Sequence, residues 1–174
     1  MPHHPPHIYI SDTWYFLTAR IYQNQPLLKS SDAKEFSRDL LKSLVNEFQT
    51  RIAAWVILDN HYHILLKSLD GSALPQFIRR FHGRISYELN HRDQTEGRQV
   101  WHNYWDTCIR TEKDYWTRFN YIHQNPIKHR YAARKEDWPY SSYHFYLKHK
   151  GLEWLADAFR RYPIVDFSDL RDNF

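Results

Sequence analysis

The chain has 174 residues with 24 Lys and Arg against 20 Asp and Glu, a formal net charge of +4, 12 histidines, four glycines and one cysteine. That length suits one domain able to bury its own core; Cys108 alone allows no intrachain disulfide and no Cys-x-x-Cys zinc site, so a reducing, cytoplasmic setting is expected. So few glycines leave no GxxxxGK[ST] or GxGxxG loop, which argues against a nucleotide cofactor.

The Pro- and His-rich residues 1–12 read as a flexible arm with no secretory pattern, and no apolar run reaches membrane-spanning length. Residues 13–174 read as a single domain with a C-terminal extension from about 147. From Thr13 to Tyr22, β-branched and aromatic residues predict a strand closed by the polar turn Gln23 to Pro26. Ser31 and Asp32, with Glu35, resemble a capping box opening a helix whose stripe is Phe36, Leu40, Leu44 and Phe48. Ile52–Leu58 and His61–Lys67 predict a hairpin around Asp59-Asn60, residues that tolerate left-handed backbone. In its second strand Tyr62, Ile64 and Leu66 share one face, and His61 and His63 the other.

Leu74, Phe77, Ile78, Phe81, Ile85 and Leu89 mark a second amphipathic helix, with Arg79, Arg80, Arg84 and Arg92 outside the stripe. Those arginines are either contacts for a nucleic-acid backbone or a solvated face. A strand or strand pair follows over residues 98–110, then a third helix from Thr111 or Glu112 to Pro126. Trp138-Pro139-Tyr140-Ser141-Ser142 reads as a turn into a short C-terminal helix. Strands and helices interleaved around a hairpin predict an α+β fold, a ferredoxin-like sandwich of mainly antiparallel sheet with helices on one face.

Two histidines flanking one residue of a strand project together, as a strand presents a metal, although such pairs are also ordinary polar surface. On the third helix Tyr115, Phe119 and Ile122 form the stripe, and Tyr121 points roughly 120° away from its centre beside Arg118 and Asn125. A tyrosine there is either a polar-tipped boundary residue or a nucleophile. Asn125 at i+4, or Gln124 at i+3, could add an oxygen ligand to His61 and His63. Such a neutral ligand set leaves positions for phosphate oxygens on Mg²⁺ or Mn²⁺. A phenol attacking phosphate conserves bond energy in a reversible ester, which suits cutting and rejoining strands.

These residues resemble the REP-associated tyrosine transposases, a branch of the single-tyrosine transposases within the HUH endonucleases. The resemblance rests on Asp59-Asn60-His61-Tyr62-His63-Ile64-Leu65-Leu66, Tyr121-Ile122-His123-Gln124-Asn125-Pro126 and Trp138-Pro139-Tyr140-Ser141-Ser142-Tyr143, in order and spacing from about Trp14 to Tyr146. It implies His61, His63 and Asn125 as metal ligands and Tyr121 as nucleophile. The expected activity is metal-dependent cleavage and rejoining of single-stranded DNA at hairpin-forming repeats through a 5′-phosphotyrosine link, with the tyrosine helix near the metal-site face and the protein a monomer or homodimer. Arg79, Arg80 and Arg84 are candidate DNA contacts. Lys128-His129-Arg130 departs from the family's Lys-His-Gly, and Trp101-His102-Asn103-Tyr104-Trp105 from its more usual Trp-Gln-Arg. Two other readings stay open: a non-catalytic module binding a DNA or RNA hairpin, and a histidine–metal hydrolase using activated water.

Overall fold

The computed structural model describes residues 9–165. Four strands, β1 (Thr13–Ile21), β2 (Arg51–Ile57), β3 (His61–Ser68) and β4 (Trp101–Cys108), form one antiparallel sheet in the order β2-β3-β1-β4. Because β3 and β1 are central, both faces of each are covered, and β3 is buried almost throughout despite its two histidines. The strand expected over residues 98–110 is one strand, not two.

Helices α1 (Ser31–Glu47) and α2 (Leu74–Arg92) pack against one sheet face. There Leu40, Leu41 and Leu44 of α1, with Phe77, Phe81 and Ile85 of α2, enclose Tyr15, Leu17, Tyr62, Ile64 and Leu66. Every residue of the expected α2 stripe is buried. The α1 cap lies one residue before the Ser31-Asp32 expectation: the Ser30 hydroxyl accepts from the Ala33 amide, which puts the side chain at the reach an N-cap needs.

Helix α3 (Glu112–Lys128) lies on the opposite face with α4 (Tyr143–Lys150) and α5 (Leu152–Arg161). Phe119, Tyr121 and Ile122 meet Phe16, Val56 and Leu65 there, with Tyr143 and Leu155 behind them. Sequence periodicity anticipates only one short C-terminal helix; Gly151, at φ +86°, breaks the run into α4 and α5. Pro126 does not end α3. The helix continues to Lys128, and its end is closed by the amides of Tyr131 and Arg130 donating to the carbonyls of Pro126 and Ile127. That is a Schellman closure with Arg130 at φ +60°, the left-handed position usually held by glycine.

Of the arm expected over residues 1–12, residues 1–8 lie outside the described residues. Tyr9 packs on the first core, its hydroxyl 2.8 Å from that of Tyr104. A Cβ on Gly71 would come within 2.6 Å of the Tyr9 carbonyl oxygen, so only glycine lets this segment lie so close. No helix among the described residues is long and apolar enough to cross a membrane.

Candidate active site

The hairpin between β2 and β3 carries the first histidine. Neither Asp59 nor Asn60 takes the left-handed backbone expected of them; their side chains hold the turn instead. The Asp59 carboxylate sits 2.6 Å from the ammonium of Lys34, a lysine buried at the start of α1 whose charge is also met by the Lys29 carbonyl. The Asp59 and Asn60 carbonyls accept from the amides of Leu28 and Ile21. With the hairpin pinned from both sides, His61 starts β3 at a defined position.

The register pairs Arg20 with His61 and Thr18 with His63, so all four project from the α3 face. The imidazoles are 5.2 Å apart between centroids. Each is oriented from behind: His61 Nδ1 lies 2.7 Å from Asn60 Oδ1, and His63 Nδ1 lies 2.8 Å from Thr18 Oγ1. A carboxamide oxygen can only accept, so the tautomer with its proton on Nδ1 satisfies the shorter contact, to Asn60, and turns the Nε2 lone pair toward α3. Burial lowers the pKa of His61 to about 3 and that of His63 well below its ordinary value, so both rings are neutral at neutral pH.

Helix α3 delivers the remaining groups. Asn125 Oδ1 lies 3.1 Å from His61 Nε2. With the His61 proton on Nδ1, this close approach joins two acceptors, an arrangement that a cation between them relieves. The Asn125 Nδ2 atom is buried and makes no hydrogen bond. Gln124 and Asn125 both border a cavity of about 320 Å³ shared with Tyr121, Lys128 and Ile164, but it is Asn125 whose oxygen meets His61. His61, His63 and Asn125 therefore fit a divalent cation by donor type and protonation state. Among the described residues no group of three or more His, Cys, Asp or Glu side chains could hold a metal; the set here is two histidines and one carboxamide.

Tyr121 is 2% exposed, turned inward against the sheet rather than outward to solvent. Its ring stands edge-on to His63 at 5.3 Å and to Phe16 at 6.1 Å, while Phe16 stacks on His63 at 5.4 Å. The Lys128 ammonium, two turns along the helix, donates to the Tyr121 hydroxyl at 3.3 Å and lies 5.1 Å from the ring centre. The Arg118 guanidinium covers Phe16 at 4.7 Å. His129 packs against His61 at 4.8 Å, and its buried Nε2 makes no hydrogen bond. Thr18, Asn60, Lys128 and His129 were not singled out from sequence as site residues. Thr18 alone had a usable signal, since any strand paired with the His61-to-Lys67 run must set a residue beside each histidine.

The structure brings His61, His63, Tyr121 and Asn125 together across 64 residues of chain. It does not bring Arg79, Arg80 and Arg84 to them. Those arginines are exposed on α2, across the sheet from Tyr121, and Arg80 pairs with Glu47 and covers the Phe48 ring. His123, inside the tyrosine motif, is structural: buried, with its pKa lowered to about 3, it bonds through Nε2 to the Ser142 hydroxyl at 2.8 Å.

Comparison with known proteins bears on the family and the fold. The chain is 27% identical over 160 residues to the REP-associated tyrosine transposase of Escherichia coli K12, covering 90% of this chain and 88% of that one. It is 28% identical over 140 residues to a Haemophilus influenzae protein of the same designation, covering 75% and 79%. A solved structure of a REP-associated tyrosine transposase bound to a REP hairpin superposes with a TM-score of 0.67 at 24% identity, covering 84% of this chain and 86% of that one, and shares the fold. The model of the family described as "Transposase IS200 like" matches residues 10–125, two thirds of the sequence, and the chain belongs to that family.

Proposed function

We propose that this transposase-family protein is a metal-dependent single-stranded DNA endonuclease and strand transferase that acts at hairpin-forming DNA through a covalent bond to Tyr121. What supports this is the clustering of the Tyr121 phenol, the two neutral imidazoles and the Asn125 oxygen, with Tyr121 against His63, Asn125 against His61, and Tyr121 and Asn125 lining one cavity. The named relatives, one of them solved with a hairpin, make hairpin DNA the natural partner.

His61, His63 and Asn125 would hold Mg²⁺ or Mn²⁺, which when bound polarises the scissile phosphate as a Lewis acid. Lys128, donating to the phenol oxygen, favours the phenolate and opposes the charge of the attacked phosphate. The Tyr121 oxygen bonds to phosphorus as the phosphorus–O3′ bond breaks, giving a 5′-phosphotyrosine ester and a free 3′ hydroxyl. Net, one proton passes from the phenol to the departing oxygen. Attack by the same or another 3′ hydroxyl reverses the step and rejoins strands without ATP. Phe16 and Arg118 hold the phenol against His63, so the reacting oxygen is positioned before DNA arrives. Arg79, Arg80 and Arg84 would touch DNA only where a duplex reaches around the sheet edge.

The test is a labelled oligonucleotide carrying a hairpin and a single-stranded flank, incubated with Mn²⁺ and resolved on a denaturing gel. A covalent protein–DNA adduct is expected, abolished in Tyr121→Phe and by chelation. Cleavage that survives Tyr121→Phe would point to activated water, and tight binding with no adduct to a non-catalytic module.

A further inference from the structure

Helix α3 packs on β2 and β3 and over Phe16 of β1, and the edge strand β4 lies beyond it, partly exposed. There the sheet carries a row of aromatic rings. Trp105 pairs with Thr18, the residue beside His63, so it projects from the active-site face one strand further out. His102 follows at 6.4 Å from Trp105, and Tyr22 at 6.2 Å from His102. Their spacing comes from a bulge: β1 advances two residues from Ala19 to Ile21 while β4 moves three, from Tyr104 to Trp101. The extra residue lets Tyr104 and Trp101 both reach the core and returns His102 to the open face, a common use of bulges beside active sites. His102 is exposed and Tyr22 and Trp105 are half-buried, so each of the three keeps accessible surface.

Cations dominate the charge of this surface, although Lys67 at its far end is paired with Asp12 at 2.7 Å. The residues that β1 and β3 turn to it are Trp14, Phe16, Thr18, Arg20, His61, His63, Leu65 and Lys67, with no carboxylate among them, and the β4 carboxylate Asp106 pairs opposite Leu17 on the other face. Arg20 stands between the rings and His61. Aromatic rings in a row beside a fixed cation bind single-stranded nucleic acid, because every base has a face to stack and every linkage a phosphate to neutralise.

We propose that the Trp105–His102–Tyr22 row is the stacking platform for the single-stranded DNA adjoining the scissile phosphate, with Arg20 meeting its backbone. This rests on the strand-transfer reading for the position of that phosphate, but it makes a separate claim about where unpaired bases lie.

The experiment compares the full-length protein's affinity for a blunt DNA hairpin with that for the same hairpin bearing a four-nucleotide single-stranded tail, by fluorescence anisotropy. In the wild type the tail should tighten binding. Trp105→Ala and His102→Ala should each remove about five-fold or more of that gain, as loss of one stacked base would. Blunt-hairpin affinity should be unchanged, and Trp105→Phe should keep the gain. An abasic tail on the wild-type protein should lose it, which serves as the measurement if Trp105→Ala fails to fold. A tail that adds nothing in the wild type, an abasic tail that binds as well as a normal one, or alanine variants that keep the full gain overturn the platform. A tail gain lost in the variants but accompanied by no covalent adduct leaves the platform standing and rejects the cleavage reading alone.

Discussion

Thr18 and Asn60 do for His63 and His61 what an imidazole cannot do for itself: they hold the Nδ1 side so that Nε2 is turned away from them toward α3. Thr18→Val keeps the shape and β propensity of the side chain and removes the hydroxyl. Loss of such an outer partner typically weakens metal binding 10- to 100-fold, so Mn²⁺ affinity, read from the free-ion electron paramagnetic resonance signal, should fall by about that factor in Thr18→Val and recover in Thr18→Ser. Equal affinities in all three proteins would show that the hydroxyl does not orient His63. This partnership is invisible in sequence, because it depends on the β1–β3 register, which a strand pattern suggests but does not specify. The histidine pair itself was legible, since i and i+2 on a strand share a face whatever the strand pairs with. Tyr121 was legible only as a residue outside the core stripe. That it turns inward, at 2% exposure, follows from α3 being enclosed by the sheet on one side and α4 and α5 on the other.

Among the elements, the α2 stripe could be read directly because six apolar residues at helical spacing have one way to be buried. The end of α3 could not. Proline normally stops a helix by losing an amide donor, but Pro126 sits in the last turns, where the closing Schellman bonds supply the stability that the missing donor takes away. Arg130 occupies the left-handed position of that closure at a steric cost that glycine does not bear. Arg130→Gly should therefore raise the unfolding free energy by about 1 kcal/mol, seen as a higher urea midpoint with an unchanged slope. A lower midpoint would mean that contacts of the arginine side chain outweigh the relief of its backbone.

The attachment of α3 to the edge strand β2 is another tertiary feature that no local pattern reveals. Ser142 Oγ accepts from the Trp55 amide at 2.9 Å and faces His123 Nε2 at 2.8 Å and the Trp55 carbonyl at 3.3 Å. With the neutral His123 donating, one hydroxyl proton and two lone pairs satisfy all three neighbours. Ser142→Ala would strand a buried amide and a buried imidazole N–H, at a cost of about 3 kcal/mol in unfolding free energy. A change within about 0.5 kcal/mol in denaturant titration would show that water replaces the hydroxyl there.

At the scale of the whole molecule, the net charge of +4 hides how its histidines are placed. Burial lowers the pKa of His61, His82 and His123 to about 3, lowers that of His63 well below its ordinary value, and lowers that of His129 as well. Unfolded, each titrates near about 6.5. Between roughly pH 6.5 and pH 3 the unfolded chain therefore binds more protons than the folded one, so stability is full above that window and falls as the pH drops through it. Each buried histidine costs up to about 1.4 kcal/mol per pH unit there, and four of them at pH 5 remove an amount comparable to the whole stability of a typical domain. The carboxylates Asp39, Asp93 and Asp157, held low first by their arginine partners, add a loss only below about pH 4. The urea midpoint should thus be flat from pH 8 to pH 7 and fall steeply by pH 5. His82 lies outside the proposed metal site, its ring stacked on Trp101 at 4.3 Å and its Nε2 2.8 Å from the Tyr62 hydroxyl. His82→Gln should lower stability at pH 7.5 yet flatten the decline by about one proton. A midpoint unchanged between pH 7 and pH 5 would mean that these rings take up protons while the protein stays folded, and that the enclosure of the active site by α3 is looser than its geometry requires.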